Sequence, residues 1–204
     1  MEKEFTEIFK TKRWARSQTE SVSGTGSTLK YTTKLREQLP DLFKKYKITS
    51  ILDAPCGDFN WMQKVVTKDL NYIGGDIVLD LVNQNNEKYK SDNISFMHLD
   101  ITKDSLPDAD LMICRDCLFH LNYESIDNFF NNFKNSNIKY LLTTTHINDG
   151  FLNTNIITGG FRKIDLHLPP FDIQSNKVLE VLEDYVEGYV PRNMILLDRN
   201  LLNS

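Results

Sequence analysis

Ile51-Leu52-Asp53-Ala54-Pro55-Cys56-Gly57-Asp58-Phe59-Asn60-Trp61 decides the fold. A short apolar run closes on an acid, a Pro/Gly turn follows, and a helix start is expected from about 58 to 66. Strand, tight turn and helix start are the form of a nucleotide-type cofactor site at the carboxyl end of a first β-strand. A dinucleotide fingerprint needs several glycines in a G-x-G-x-x-G spacing, so that backbone can approach a pyrophosphate. This turn has Gly57 alone.

Outward from the turn, apolar strands and helical stretches alternate. Strands are expected at 48–53, 71–76, 94–99, 109–114 and 138–145. Helices are expected at 28–46, where Leu35, Leu39, Leu42 and Phe43 make a stripe, at 79–90, and from the fourth strand to about Phe133. Ser27 or Thr28 is a candidate cap for the helix at 28–46, and Pro40 is expected to kink or break it. Phe5, Ile8 and Phe9 have helical spacing, which predicts a short docking helix within 1–20. This alternation implies a parallel sheet with right-handed crossovers. Residues 146–177 are rich in Gly, Pro, Asn and Thr, and a long irregular segment in a compact domain is more often functional than accidental. Two strands, 178–185 and 193–198, follow around Gly188 and Pro191.

The chain has 204 residues, 40% hydrophobic and 25% charged, which suits one soluble domain over 1–204 with a single core. A net charge of −4 without a basic block argues against a nucleic-acid partner. Cys114 and Cys117 form a C-x-x-C, but no second pair or His pair completes a metal site, so no metal is expected. The charged start Met1-Glu2-Lys3-Glu4 lacks the apolar region of a signal peptide. No apolar run reaches the ~20 residues of a membrane span. A cytoplasmic protein is the expectation.

Four acids stand just after predicted strands: Asp53, Asp76, Asp100 and Asp116. Open α/β sheets bind ligands at that edge. A carboxylate after the second strand can accept two hydrogen bonds from adjacent ribose hydroxyls. One Asp after a strand is usually a turn cap; four in chain order make a stronger case. NAD also wants an acid after the second strand, but the missing glycines and Leu99-Asp100 after the third count against it.

Residues 53–62 resemble motif I of the class I S-adenosylmethionine (SAM)-dependent methyltransferases, usually acid-x-Gly-x-Gly-x-Gly, with Pro55 and Phe59 in place of the outer glycines. They are similar to a subgroup of small bacterial enzymes carrying Asp-x-Pro-Cys-Gly-Asp-Phe-Asn-Trp-Met. Cys114-Arg115-Asp116-Cys117-Leu118-Phe119-His120-Leu121 resembles that subgroup's motif IV, and Gly160-Phe161-Arg162 followed by Pro169-Pro170-Phe171 resembles another of its blocks. The resemblance runs from about Ser21 to the C-terminus. It implies a Rossmann-like α/β fold: a seven-stranded, mostly parallel sheet with helices on both faces and a C-terminal antiparallel hairpin. It implies SAM as cofactor and S-adenosylhomocysteine as product. Asp53 would lie near the amino end of SAM, Asp76 on the ribose and Asp100 on the adenine amine. Ile101 would pack on the ring, Gly57 would let backbone approach, and Trp61 would line the pocket or pack on the sheet. Residues 1–46 would contribute a helical lid whose Ser23-Gly24-Thr25-Gly26-Ser27 folds over the cofactor.

Methyl transfer from a sulfonium is an in-line displacement, so the protein must align the acceptor and take a proton where one is lost. Asp116, His120 and His146 are the candidate bases. His120 lies four residues past Asp116, so on a helical turn the two share a face; His146 follows Thr143-Thr144-Thr145. An anionic acceptor needs no base. Arg115, Arg162 and Phe161 are candidates for the acceptor side, with 146–177 as its loop. No Asp-Pro-Pro-Tyr motif for base amines stands after the fourth strand. The subgroup implies an oxygen of a small or carbohydrate acceptor, a sugar hydroxyl or phosphate-like substituent in capsule polysaccharide modification. The rival readings are a SAM-binding module without catalysis and a nucleic-acid methyltransferase.

Overall fold

The computed structural model describes residues 1–15 and 20–202. Its strands are β1 Ser50–Asp53, β2 Asn71–Asp76, β3 Ile94–His98, β4 Leu111–Cys114, β5 Tyr140–His146, β6 Val178–Glu183 and β7 Arg192–Asp198. They form one sheet in the order β3-β2-β1-β4-β5-β7-β6. The first five are parallel, and β7 runs antiparallel to both β5 and β6. The chain runs outward from β1 to β3 and then returns to the other side of β1 with β4, so the sheet has its switch point between β1 and β4, where open α/β sheets bind ligands.

The central strands are continuous apolar runs because both their faces are covered. Ile51, Leu111 and Ile113 face one core with Leu35, Leu39 and Phe43. Leu52, Met112 and Cys114 face the other with Ile126, Phe129 and Phe133. The helices are α1 Glu2–Lys10, α2 Thr33–Tyr46, α3 Leu79–Tyr89, α4 Tyr123–Asn135 and α5 Arg199–Leu202. Among them α2 and α4 supply these opposite layers, so the sheet is sandwiched. No described helix is long and apolar enough to cross a membrane.

Three local expectations need correction. The helix expected at 58–66 is only a 3₁₀ turn over Met62–Lys64. Phe59 takes φ 57° and buries its ring against Tyr72, Tyr89 and Phe96, and the branched Val65-Val66-Thr67 that follow favour helix poorly. The helix expected from 28 starts at Thr33; Thr28 instead caps the turn before it, its Oγ1 accepting from the Tyr31 N–H at 3.2 Å. Pro40 does not break α2. It sits on the exposed side, while Leu39, Leu42 and Phe43 keep the opposite face buried.

Residues 147–174 carry no helix or strand. The hairpin pairs Leu182 with Met194 and Glu183 with Asn193, with a register shift between Val178 and Glu180.

Candidate active site

The turn after β1 is built around Asp76. The Gly57 N–H donates to Asp76 Oδ2 at 3.1 Å and the Val78 N–H to Oδ1 at 2.9 Å. Each oxygen keeps a lone pair for a further donor. Gly57 needs its φ of 56°, and a Cβ there would collide with Ser23 Oγ, so only glycine fits beneath the 21–27 loop. Asp58 ties that loop down: Ser21 Oγ and the Val22 N–H donate to its carboxylate at 3.0 and 2.7 Å, and its own N–H donates to Ser23 Oγ at 3.0 Å. Burial pushes Asp76 up to about 6. Burial likewise pushes Asp53 up to about 7, against the Tyr72 hydroxyl that donates to it at 2.7 Å.

These groups floor a cleft at the switch point. Counted out to its open mouth it holds about 1060 Å³, the scale of pockets that bury drug-sized ligands. Asp53, Gly57, Trp61, Asp76, Ile101, Arg115, Asp116 and His120 all border it. Its roof comes from the N-terminal segment: Met1, then Phe5, Ile8 and Phe9 of α1, then Trp14, Val22, Ser23 and Ser27. Of the expected lid at 1–46, residues 16–19 lie outside the described residues.

Asp116 is held at φ 53°, a left-handed backbone uncommon outside glycine. Its N–H donates to Thr144 Oγ1 on β5 at 2.9 Å. Arg192 Nη2 lies 2.5 Å and Arg115 Nη1 3.4 Å from its Oδ2. Burial alone would push its carboxyl up, but the Arg115 and Arg192 guanidiniums win and hold it below the usual carboxylate range. Arg115 spends its fork on Asp184, at 2.9 and 3.0 Å. Arg192 also donates to the Tyr31 hydroxyl at 2.6 Å. Two guanidiniums and two carboxylates therefore neutralise one another beside the cleft.

Both candidate histidines are held at Nδ1, but by different partners. His120 Nδ1 lies 2.6 Å from Gly160 O, which only an N–H can satisfy, so the neutral ring carries its lone pair on Nε2. Burial lowers its affinity for a proton. His146 Nδ1 lies 3.1 Å from the Ile164 N and 3.3 Å from Ile164 O, so the ring is tied to the backbone of the loop after β5. Burial, then Arg192, lowers it to about 4. His146 is 3% exposed and does not border the cleft.

Three further expected site residues also stand away from the cleft. Asp100 turns into its own loop, Oδ1 accepting from Thr102 Oγ1 at 2.7 Å and from the Thr102 N–H at 3.1 Å. Arg162 is 6% exposed. Its Nη1 donates to Leu121 O at 2.7 Å, its plane lies over Tyr123, and Nε and Nη2 have no hydrogen-bond partner among the described residues. Phe161 is exposed and packs edge-on against Phe119. Sequence reasoning missed Tyr31, Asp184, Arg192 and Trp14, none of which carries a local motif.

No protein-family profile and no curated protein sequence matches this chain. Solved structures do. A SAM-dependent methyltransferase from Leishmania major aligns with a TM-score of 0.69 at 15% identity, over 95% of this chain and 82% of that one. Magnesium protoporphyrin IX methyltransferase from Synechocystis, with bound SAM, aligns at 0.62 and 13%, over 97% and 96%. Human N-acetylserotonin methyltransferase, in complex with SAM, aligns at 0.60 and 14%; 82% of this chain spans 52% of its length. At these identities the likeness speaks for the fold, which is the Rossmann-like fold of class I SAM-dependent methyltransferases.

Proposed function

We propose that this chain is a SAM-dependent methyltransferase acting on an oxygen of a small acceptor of carbohydrate type. The observation that carries the reading is the cleft at the switch point: acids on its floor, an apolar roof, and one bordering imidazole that is held at Nδ1 by Gly160 O. The cradle fits the cofactor. Asp76 keeps lone pairs for vicinal hydroxyls, Gly57 leaves no side chain in the way, and Leu99 and Ile101 offer an apolar wall to a purine. Asp53 supplies a carboxylate for an ammonium. Asp100 shapes the turn that sets Ile101 in that wall.

Bound there, SAM supplies a methyl group activated on a sulfonium. His120 Nε2 would take the proton that the acceptor hydroxyl loses when the methyl group passes from sulfur to its oxygen, the S–CH3 bond breaking to leave the neutral thioether of S-adenosylhomocysteine. Asp116, kept anionic by Arg115 and Arg192, favours the resulting imidazolium. The apolar roof excludes water from the transfer. Phe161, exposed next to the His120 ring, is a wall for the acceptor, and 146–177 is its loop. The resemblance to the capsule-modifying subgroup supports a sugar hydroxyl or phosphate-like oxygen.

Calorimetric titration with SAM and with S-adenosylhomocysteine tests the cofactor. Micromolar binding, lost in Asp76→Ala, is expected; no heat with either ligand and folded protein would sink the reading. Methyl transfer to nucleotide-activated sugars then tests the acceptor. His120→Gln should lower kcat by about 10²–10⁴, the usual worth of a general base, with SAM affinity retained.

A further inference from the structure

The imidazole of His120 is clamped by the roof of the cleft. Trp14 stacks on it, with ring centroids 4.6 Å apart and planes 26° from parallel. Trp14 also touches Phe5 of α1, centroid to centroid at 5.9 Å, and both border the cleft. The segment is fitted to this position at two glycines. A Cβ on Gly24, at φ 101°, would press on the Trp14 backbone at 3.3 Å, and one on Gly159, at φ 92°, would meet Glu4 Cγ at 2.6 Å. The Gly159 N–H in turn donates to His120 O at 2.8 Å, and Gly160 O holds the ring at Nδ1. The N-terminal segment thus rests on the same Gly159-Gly160 corner that orients the imidazole.

We infer that Trp14 is a positioning residue: the segment that covers the cofactor cleft also sets the His120 ring, so covering the cleft and readying the base are one event. The inference rests on the proposed function for its catalytic meaning, but the clamp itself is a physical claim. One face of the His120 ring meets indole instead of water. The ring is also in contact with Phe119, at 4.5 Å between centroids, so both Trp14 and Phe119 restrict its rotation. The charged groups acting on the ring are Asp116 at the end of β4, Arg192 on β7 and Arg162 in the loop after β5. With the indole removed, water would reach the ring and its proton affinity would return toward that of a free histidine.

The chain has two tryptophans, Trp14 and Trp61, so Trp61→Phe makes Trp14 the sole tryptophan. A stacked imidazolium quenches indole emission. Emission should fall as pH drops through a midpoint below the ordinary histidine value, and the step should vanish when His120→Gln is added. A step that persists in the double variant, or no step in folded protein, would overturn the clamp. This readout needs no activity, so it stands apart from a failure to bind SAM, which would overturn the proposed function instead. In turnover, Trp14→Ala should cut kcat by about tenfold to a hundredfold, the order that a misplaced base costs. It should also move the acidic limb of the kcat profile to higher pH, and Trp14→Phe should restore most of both. Unchanged kcat and an unmoved limb in Trp14→Ala would refute the positioning role.

Discussion

Asp53 carries an unusual linkage. Its native value is about 7, raised by burial, against an ordinary 3.8. Between those values the folded protein binds a proton that the unfolded chain does not. Stability from this group therefore falls as pH rises from about 4 to 7, and above 7 the full cost of a buried charge is present. Asp53→Asn removes that cost and still accepts the Tyr72 hydroxyl. Its melting temperature should exceed that of the wild type at pH 8, with the gap closing toward pH 5; a gap constant with pH would contradict the assignment. At this scale the strand-end acids were legible because strand and turn are local patterns. The choice between His120 and His146 was not, because it depends on which ring borders the cleft and on contacts with Gly160 and Ile164, each 18 or more positions away.

Among the elements, α4 begins directly after the segment that carries Asp116 and His120. Asn122 caps it, with Oδ1 accepting the Ser125 N–H at 2.8 Å. Asn122→Ala should cost about 1 kcal/mol, read as a lower urea midpoint at unchanged slope. The strands and most helices follow from periodicity in the sequence, since Ile126, Phe129 and Phe133 or Leu35, Leu39 and Leu42 can share a face only on a helix. The stretch 58–66 misled because its apolar residues do have such a spacing. Side chains compete with helix there: Asn60 Nδ2 donates to Ser27 O at 3.0 Å and Gln63 Nε2 to Asn60 O at 2.9 Å. The roofing role of α1 was only half legible. Phe5, Ile8 and Phe9 announced an apolar face, but not what it covers.

Across the whole molecule the Tyr31, Arg115, Asp116, Asp184 and Arg192 cluster binds parts that are far apart in sequence. No spacing rule unites them; only the position of β7 between β5 and β6 brings Arg192 beside Asp116. Truncating one member leaves a buried charge without its partner, which typically costs about 3–5 kcal/mol. Asp184→Ala should show a loss of that order in denaturant unfolding. Adding Arg115→Met should return part of it, and a cycle with strictly additive losses would argue against coupling. The place of β7 also orders the life of the chain. It is made after both of its neighbours, so a polypeptide still on the ribosome presents β5 with an open edge, exposed to mispairing with other chains. Asp116 has no Arg192 until that strand clears the exit tunnel and slides in. The sheet and the ion pair of Asp116 are thus completed by the same late arrival.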